Sequence, residues 1–410
     1  MAAWFVLLIC RKIFTLYCRN FFTDKKILLP LYRKLTKKEK TMLTKFAVTN
    51  YRGFANRIEL DLSNPSNYEF NKNVIKDGIV KNGIIYGPNG SGKTNIGLAI
   101  FDIEYHLAPL KAKKRDYYDN FVYAGAVNEP VTFEYTFKFG SQTVEYIYSK
   151  KEKGIFVSEK LVVDGEMIFN REKNLFTITT KYFPNDEIIT QNLKNSANNI
   201  SVVNFLLTYY PLGADSYILK MQEFANKMLW FRCLDVREFI GIETQDNGNI
   251  EEYFISNDLV PEFSEFLENI SGQKFDFITP QKGDKQLWYK VGNSAILFNT
   301  TVSTGTRALE LLFFWLKRMN DAKFVFIDEF DAFYHFDLAF KLCKYMFEID
   351  CQIFLSSHNT YLMTNDLLRP DCNFLINGEN IKALCDCTDK DLRFGHNIEK
   401  IYRAGAFYEE

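Results

Sequence analysis

No stretch of this chain stays apolar for the roughly 20 residues that a membrane-spanning helix needs. The run Ala2 to Cys10 is closed by Arg11 and Lys12. It has no basic segment ahead of it either, so it does not read as a secretory signal. No internal repeat and no sustained heptad run is present, which argues against a solenoid or a long coiled-coil arm. The eight cysteines show no secreted-type framework, and their thiols are expected to stay reduced in a cytoplasmic location. Cys385-x-Cys387 has no second Cys/His pair at zinc-finger spacing. A charge excess is missing too, since the formal net charge is −1. Eleven of the 50 basic residues but only Asp24 and Glu39 of the 51 acidic ones fall within residues 1–45. The rest of the chain is therefore acidic, which argues against a broad nucleic-acid-binding face but leaves a local groove open.

What is present is core material. With 47% hydrophobic and 16% aromatic residues in 410, one large domain or two lobes can be buried. Residues 1–41 are basic and acid-poor with a faint transit-peptide flavour; the favoured reading is an upstream extension, with Met42 as the start. Phe46 and Val48, then Ile58, Leu60 and Leu62, alternate as two strands around Asn50-Tyr51-Arg52-Gly53-Phe54. Lys111 to Asp116 reads as a solvated basic face or linker. Val131 to Phe139, Thr143 to Tyr148 and Lys160 to Val163 read as an antiparallel meander turning at Gly140 and Asp164-Gly165. Residues 185–230 show helical spacing (Val203, Leu206, Leu207; Ile218, Met221, Phe224), and Glu262 to Ile270 is amphipathic. Gln286 to Val291 and Ala295 to Asn299 read as short strands.

The chemistry is concentrated in a few places. Gly87-Pro88-Asn89-Gly90-Ser91-Gly92-Lys93-Thr94 follows the apolar run Gly83 to Tyr86 and opens a helix expected over Asn95 to Ile103. A strand, a glycine-rich turn and a helix N-terminus together make a phosphate cradle of backbone N–H groups. Lys93 is placed to reach β/γ-phosphates and the Thr94 hydroxyl to ligate Mg²⁺. A continuous apolar run, Phe324 to Ile327, delivers Asp328-Glu329 at its tip. Asp328 suits the shell of a Mg²⁺ ion, and Glu329 suits polarisation of an attacking water. Another short strand, Gln352 to Leu355, ends in Ser356-Ser357-His358-Asn359, where His358 can hold a γ-phosphate or the water. Ser303-Thr304-Gly305-Thr306-Arg307, ahead of the amphipathic segment Ala308 to Met319, makes a second anion-binding helix start. A head-to-tail dimer, in which it caps the partner's nucleotide, gives that second site a use.

In this order, the phosphate loop, Ser-x-Gly, Asp-Glu strand and strand-end histidine resemble the ABC-type ATPase heads, AAA-family ATPases of the branch shared by SMC/RecF-like and OLD-family proteins. The start Met42-Leu43-x-x-Phe46-x-Val48-x-Asn50-Tyr51-Arg52-Gly53-Phe54 resembles that branch's opening hairpin. Leu392-Arg393-Phe394-Gly395-His396-Asn397, with Tyr402-Arg403-Ala404-Gly405-Ala406-Phe407, is similar to the stand-alone bacterial ATPases of abortive-infection systems, of RloA/AbiL and PARIS AriA type. The resemblance implies an α/β P-loop fold of ABC-ATPase-head type: a mixed sheet with an antiparallel β-subdomain and a helical accessory subdomain. It implies an N-terminal ATPase lobe over 42–110, an accessory insertion over 111–300 and a C-terminal lobe over 301–410. Gly87, Asn89, Gly90, Ser91, Gly92, Lys93, Thr94 and Asn95 would bind ATP, with Arg52 touching phosphate. Thr94 and Asp328 would hold Mg²⁺, and Ser303 and Gly305 would act in trans. Glu329 would be the catalytic carboxylate, aided by His358 and Lys93, with Asp331 in the subunit-crossing loop.

Two features depart from that pattern. No glutamine is assigned to the coupling loop, and Phe330 to His335 lacks the proline common in such heads. OLD-type relatives carry a Toprim nuclease, but the 81 residues after Glu329 leave no room for one, and Asp389-x-Asp391 reads as a solvated turn. The expected function is an ATP-hydrolysing switch in an anti-phage system, a homodimer or higher homo-oligomer with a separate nuclease or toxin effector and no membrane. A RecF/SMC-like repair or maintenance ATPase that binds DNA directly is the alternative; a transporter subunit fits least.

Overall fold

A computed structural model of the protein describes residues 41–108, 120–152, 155–172, 175–179, 181–183, 186–195, 200–232, 239–241, 249–281 and 283–407. The expectations for the N-terminal extension up to residue 40 and for Lys111 to Asp116 lie outside these residues.

Apolar runs too short for helices build the central sheet. In chain order its strands are β1 (Asn82–Tyr86), β2 (Met228–Arg232), β3 (Phe239–Gly241), β4 (Phe324–Asp328), β5 (Gln352–Ser357), β6 (Asn373–Ile376) and β7 (Ile381–Ala383). Their spatial order is β3-β2-β4-β5-β1-β6-β7. The five inner strands run parallel, and β3 and β7 are antiparallel edges. Every residue of β1, β4 and β5 is buried, as expected of parallel strands covered on both faces. The histidine-bearing strand β5 thus lies between the loop strand β1 and the acidic strand β4, and all three deliver their C-terminal tips to one edge.

A second, seven-stranded sheet is antiparallel throughout. It runs Leu175–Ile178, Glu166–Glu172, Ile155–Val163, Gln142–Glu152, Val131–Phe139, Thr41–Thr49 and Ile58–Asp61. Val131–Phe139 alternates strictly between buried and half-buried, so Phe133, Tyr135, Phe137 and Phe139 all enter the core. The turns at Gly140 and Asp164-Gly165 have positive φ, matching the residues found there. The side-chain amide of Gln352 joins the two sheets, accepting from Leu43 N at 2.8 Å and donating to Leu43 O at 2.9 Å.

Helices cover the sheets: α1 (Lys93–Ile100), α2 (Val202–Tyr209), α3 (Val260–Ser271), α4 (Thr304–Arg318) and α5 (Phe336–Phe347). Two local differences from the sequence reading stand out. Ala295 to Asn299 is a strand only as far as Leu297; Phe298–Thr301 is a helical turn, because Phe298 folds back into the core. Met228–Arg232, within the span read as accessory insertion, is an inner strand of the central sheet paired in register with β4. Its Met-Leu-Trp-Phe run is buried on both faces, like Phe324 to Ile327, but no motif at its tip advertised it.

Candidate functional site

The loop after β1 takes its shape from glycines at backbone angles that strain other residues. Gly90 and Gly92 have φ of 78° and 101°, in the region that costs side-chain-bearing residues most. At Gly92 a Cβ would also come within 2.4 Å of the Phe54 ring. The turn of the first hairpin therefore packs directly onto the loop. Gly92 is the N-cap of α1 and offers no capping side chain, which leaves the first N–H groups of the helix for an outside acceptor. Gly53 approaches Asn95 in the same contact. Arg52, at φ 49°, donates its backbone N–H to Phe121 O and lies over the Tyr51 ring.

Lys93 folds back on this loop, donating to the carbonyls of Gly87 (2.8 Å) and Pro88 (3.0 Å). Burial pulls its pKa down, while Asp328 and Glu329 push it up. Thr94 Oγ1 donates to Asp328 Oδ2 at 2.9 Å, so the hydroxyl and the carboxylate read as metal ligands meet directly. Asp328 is fully buried. Its other oxygen, Oδ1, accepts from Ser356 Oγ at 2.6 Å, and Ser356 Oγ accepts from Glu329 N at 2.8 Å. One serine on β5 thus fixes both members of the acid pair. Glu329 is held at φ 50°, and its Oε2 is buried without a hydrogen-bond partner among the described residues.

Glu329, His358, Asn89 and Asp331 line one pocket of about 450 Å³, together with Ala332, Tyr334 and Asn359. Burial and then the Lys93 ammonium lower the His358 pKa below its ordinary value, against the pull of Glu329, Asp331 and Asp328. The imidazole is therefore neutral near pH 7, able to donate through one nitrogen and accept through the other. Burial raises the Asp331 carboxyl, and the Ser357 hydroxyl, donating at 2.8 Å, opposes that shift. Ser91 Oγ, in the loop, is a second buried atom without a hydrogen-bond partner among the described residues. A smaller cavity of about 180 Å³ shares Gly87 and Pro88 with the loop and is otherwise lined by residues such as Asn377, Lys382, Tyr402 and Phe407.

Ser303 and Gly305 lie elsewhere. Ser303 is the N-cap of α4, its Oγ accepting from Thr306 N at 3.1 Å, and Gly305 approaches Phe333 O. Neither has a hydrogen bond to the phosphate loop among those of the described residues.

Two residues of the site were missed by sequence reasoning, Ser356 and Arg232. Ser356 sits in a named motif but without an assigned role. Arg232 ends β2 opposite Asp328. Its Nε donates to Asp328 Oδ2 at 3.2 Å and its Nη2 to Thr94 Oγ1 at 3.4 Å. The only local signal was an apolar run ending in a charge, the same pattern that had marked Asp328.

A glycine-rich helix start, a hydroxyl–carboxylate pair and a pocket-lining carboxylate with one buried oxygen unpartnered among the described residues form a set that can hold a polyphosphate and activate a water. Residues 84–364, well over half of the chain, match the family described as "AAA domain, putative AbiEii toxin, Type IV TA system". The chain belongs to this family. The match of this AAA domain spans β1, the phosphate loop, β4 and β5. No curated protein matches the chain. Solved structures similar to the AAA chain include the SMC head domain from Thermotoga maritima, at 14% identity and TM-score 0.39, covering 83% of this chain and 98% of that one. An Smc head domain with a coiled coil and joint from Pyrococcus yayanosii is similar at 11% identity and TM-score 0.41, covering 89% and 100%. The recombination mediator RecF with ATP is similar at 14% identity and TM-score 0.36, covering 84% and 99%. Among the described residues no helix is long and apolar enough to cross a membrane.

Proposed function

We propose that the protein binds and hydrolyses ATP as an ABC-type switch whose heads dimerise around nucleotide, and that it serves an anti-phage, abortive-infection system with a separately encoded nuclease or toxin as effector. The observation that carries this reading is the pocket shared by Asn89, Glu329, Asp331 and His358, where Glu329 keeps a buried Oε2 without a hydrogen-bond partner among the described residues. Its neighbour Asp328 already touches Thr94. A buried carboxylate oxygen left without a partner is costly, and it persists where a ligand or water completes it.

The loop N–H groups and the start of α1 would receive the β- and γ-phosphates. Lys93 would exchange the Gly87 and Pro88 carbonyls for phosphate oxygens, which fits an ammonium that burial makes readier to find anionic partners. The hydroxyl of Thr94 and the carboxylate of Asp328 fit Mg²⁺, a hard ion that takes oxygen ligands. Bound there, Mg²⁺ would neutralise charge on the phosphate oxygens. Glu329 would accept a hydrogen bond from the attacking water and polarise it in line with the γ-phosphorus. Neutral His358 would donate to a γ-phosphate oxygen. Asp328 and Glu329 are held through Ser356, so their spacing is set before substrate arrives.

Ser303 and Gly305 would complete the site of a second copy. Phe333, Phe336 and Tyr361, exposed on the segments that follow Glu329 and His358, fit a surface covered on dimerisation. The family description, with its toxin–antitoxin association, supports the defence role, and the acidic body disfavours direct binding of duplex DNA. The test combines ATP turnover with phage plating on cells carrying the full chain. Lys93→Ala and Glu329→Gln should each lose turnover and protection together. Protection that survives loss of turnover would overturn the hydrolytic switch.

A further inference from the structure

The two groups that fit Mg²⁺ are not waiting alone. Asp328 Oδ1 is taken by Ser356, so only Oδ2 faces Thr94. Along that edge lies the Arg232 guanidinium, 3.2 Å from Asp328 Oδ2 and 3.4 Å from Thr94 Oγ1. The strand register holds it there: Arg232 and Asp328 are paired residues on neighbouring parallel strands. A cation coordinated by both Oδ2 and Oγ1 needs the space and the oxygen lone pairs that the guanidinium now uses.

We propose that Arg232 is the resident counter-ion of the metal site, neutralising buried Asp328 until the metal ion displaces it. The inference rests on the Mg²⁺-nucleotide reading of Thr94 and Asp328. Physically, a fully buried carboxylate without a positive partner is expensive. A guanidinium and a divalent cation at one carboxylate edge repel each other. The Arg232 side chain retains 25% of its exposure, so it can withdraw toward solvent without leaving a buried charge behind. Arg232 is a positioning residue in this account: it sets how strongly, and therefore when, the metal site fills.

The test is Mn²⁺ binding to the full chain without nucleotide, followed by the electron paramagnetic resonance of free Mn²⁺. Wild type is set beside Arg232→Gln, Arg232→Lys and Asp328→Asn. Arg232→Gln removes the competitor and should tighten Mn²⁺ binding about tenfold, the factor set by one charge-assisted hydrogen bond no longer being broken. Arg232→Lys keeps the competing charge and should bind much as wild type does. Asp328→Asn should abolish binding. Equal or weaker Mn²⁺ binding by Arg232→Gln, with Asp328→Asn silent, overturns the role of Arg232 and leaves the metal site standing. Mn²⁺ binding by Asp328→Asn as strong as in wild type overturns the metal-site reading itself. A chain that folds as Asp328→Asn but not as either Arg232 variant makes Arg232 structural and also ends the proposal.

Discussion

Two arginine–carboxylate pairs in this molecule look alike and are built for opposite ends. Glu159, on the antiparallel sheet, accepts from Arg171 Nη2 at 3.0 Å, Tyr146 Oη at 2.9 Å, Val202 N at 2.6 Å and Val203 N at 3.1 Å. Both carboxylate oxygens are used, and the Arg171 side chain is itself buried. Asp328 is equally buried, but its guanidinium partner is part-exposed, and its chain neighbour Glu329 keeps an oxygen with no hydrogen-bond partner among the described residues. The first carboxylate caps α2 and locks it onto the sheet; the second stands next in the chain to Glu329, which lines a pocket. Burial of an acid therefore marks nothing by itself. Incomplete satisfaction beside a cavity is what separates a site from a brace.

Breaking the closed pair should give the largest effect. Arg171→Met leaves Glu159 buried and uncompensated and should cost roughly 3–5 kcal/mol in denaturant unfolding. Arg232→Met, at the open pair, should cost clearly less in the same experiment, since Arg232 is part-exposed and water can take its place, whereas Arg171 is buried. Equal losses would erase the distinction. Ser356→Ala should come next: it frees Asp328 Oδ1 and Glu329 N without touching the pocket. Turnover is expected to fall roughly 10–100-fold with KM little changed; a rise in KM at constant kcat would mean that Ser356 serves binding instead.

The pH profile should be gentler. Burial and Lys93 hold His358 below its ordinary pKa, so the ring stays neutral as pH falls through 6.5 and gains its proton only below that. Turnover should be flat from pH 8 to about 6.5, and an acid limb below it should vanish in His358→Gln. A limb centred above pH 7 in wild type would contradict the placement of the ring beside Lys93. Smallest of all, Ser201→Ala removes the side-chain cap of α2, where Ser201 Oγ accepts from Asn204 N at 3.0 Å. About 1 kcal/mol of stability should be lost, with turnover unchanged.

Much of the architecture was legible because its signals are local. The phosphate loop, the run Phe324 to Ile327 with its acid pair, and the strand ending before His358 each carry strand pattern and chemistry in a few adjacent residues. So do the alternation of Val131 to Phe139 and the turns at Gly140 and Asp164-Gly165. What stayed hidden depends on partners far away in the chain. Met228 to Phe231 is as apolar as Phe324 to Ile327, but helical spacing just upstream and an unmarked tip concealed it. Arg232 acquires meaning only from its register with Asp328, 96 positions later. Ser356 looks like one polar residue among several until β5 sits beside β4. Phe298 continued a period-two pattern that tertiary packing overrode.

The account turns on Glu329 acting as the carboxylate that completes an ATP site shared between two copies. The direct test is steady-state ATP turnover by the full chain, with oligomeric mass read in the same samples, for wild type, Lys93→Ala and Glu329→Gln. Slow hydrolysis in wild type, none in either variant, and an ATP-stabilised dimer or larger assembly in Glu329→Gln is the predicted result. Wild-type rates in both variants, or a chain that stays monomeric with ATP in all three, would contradict it.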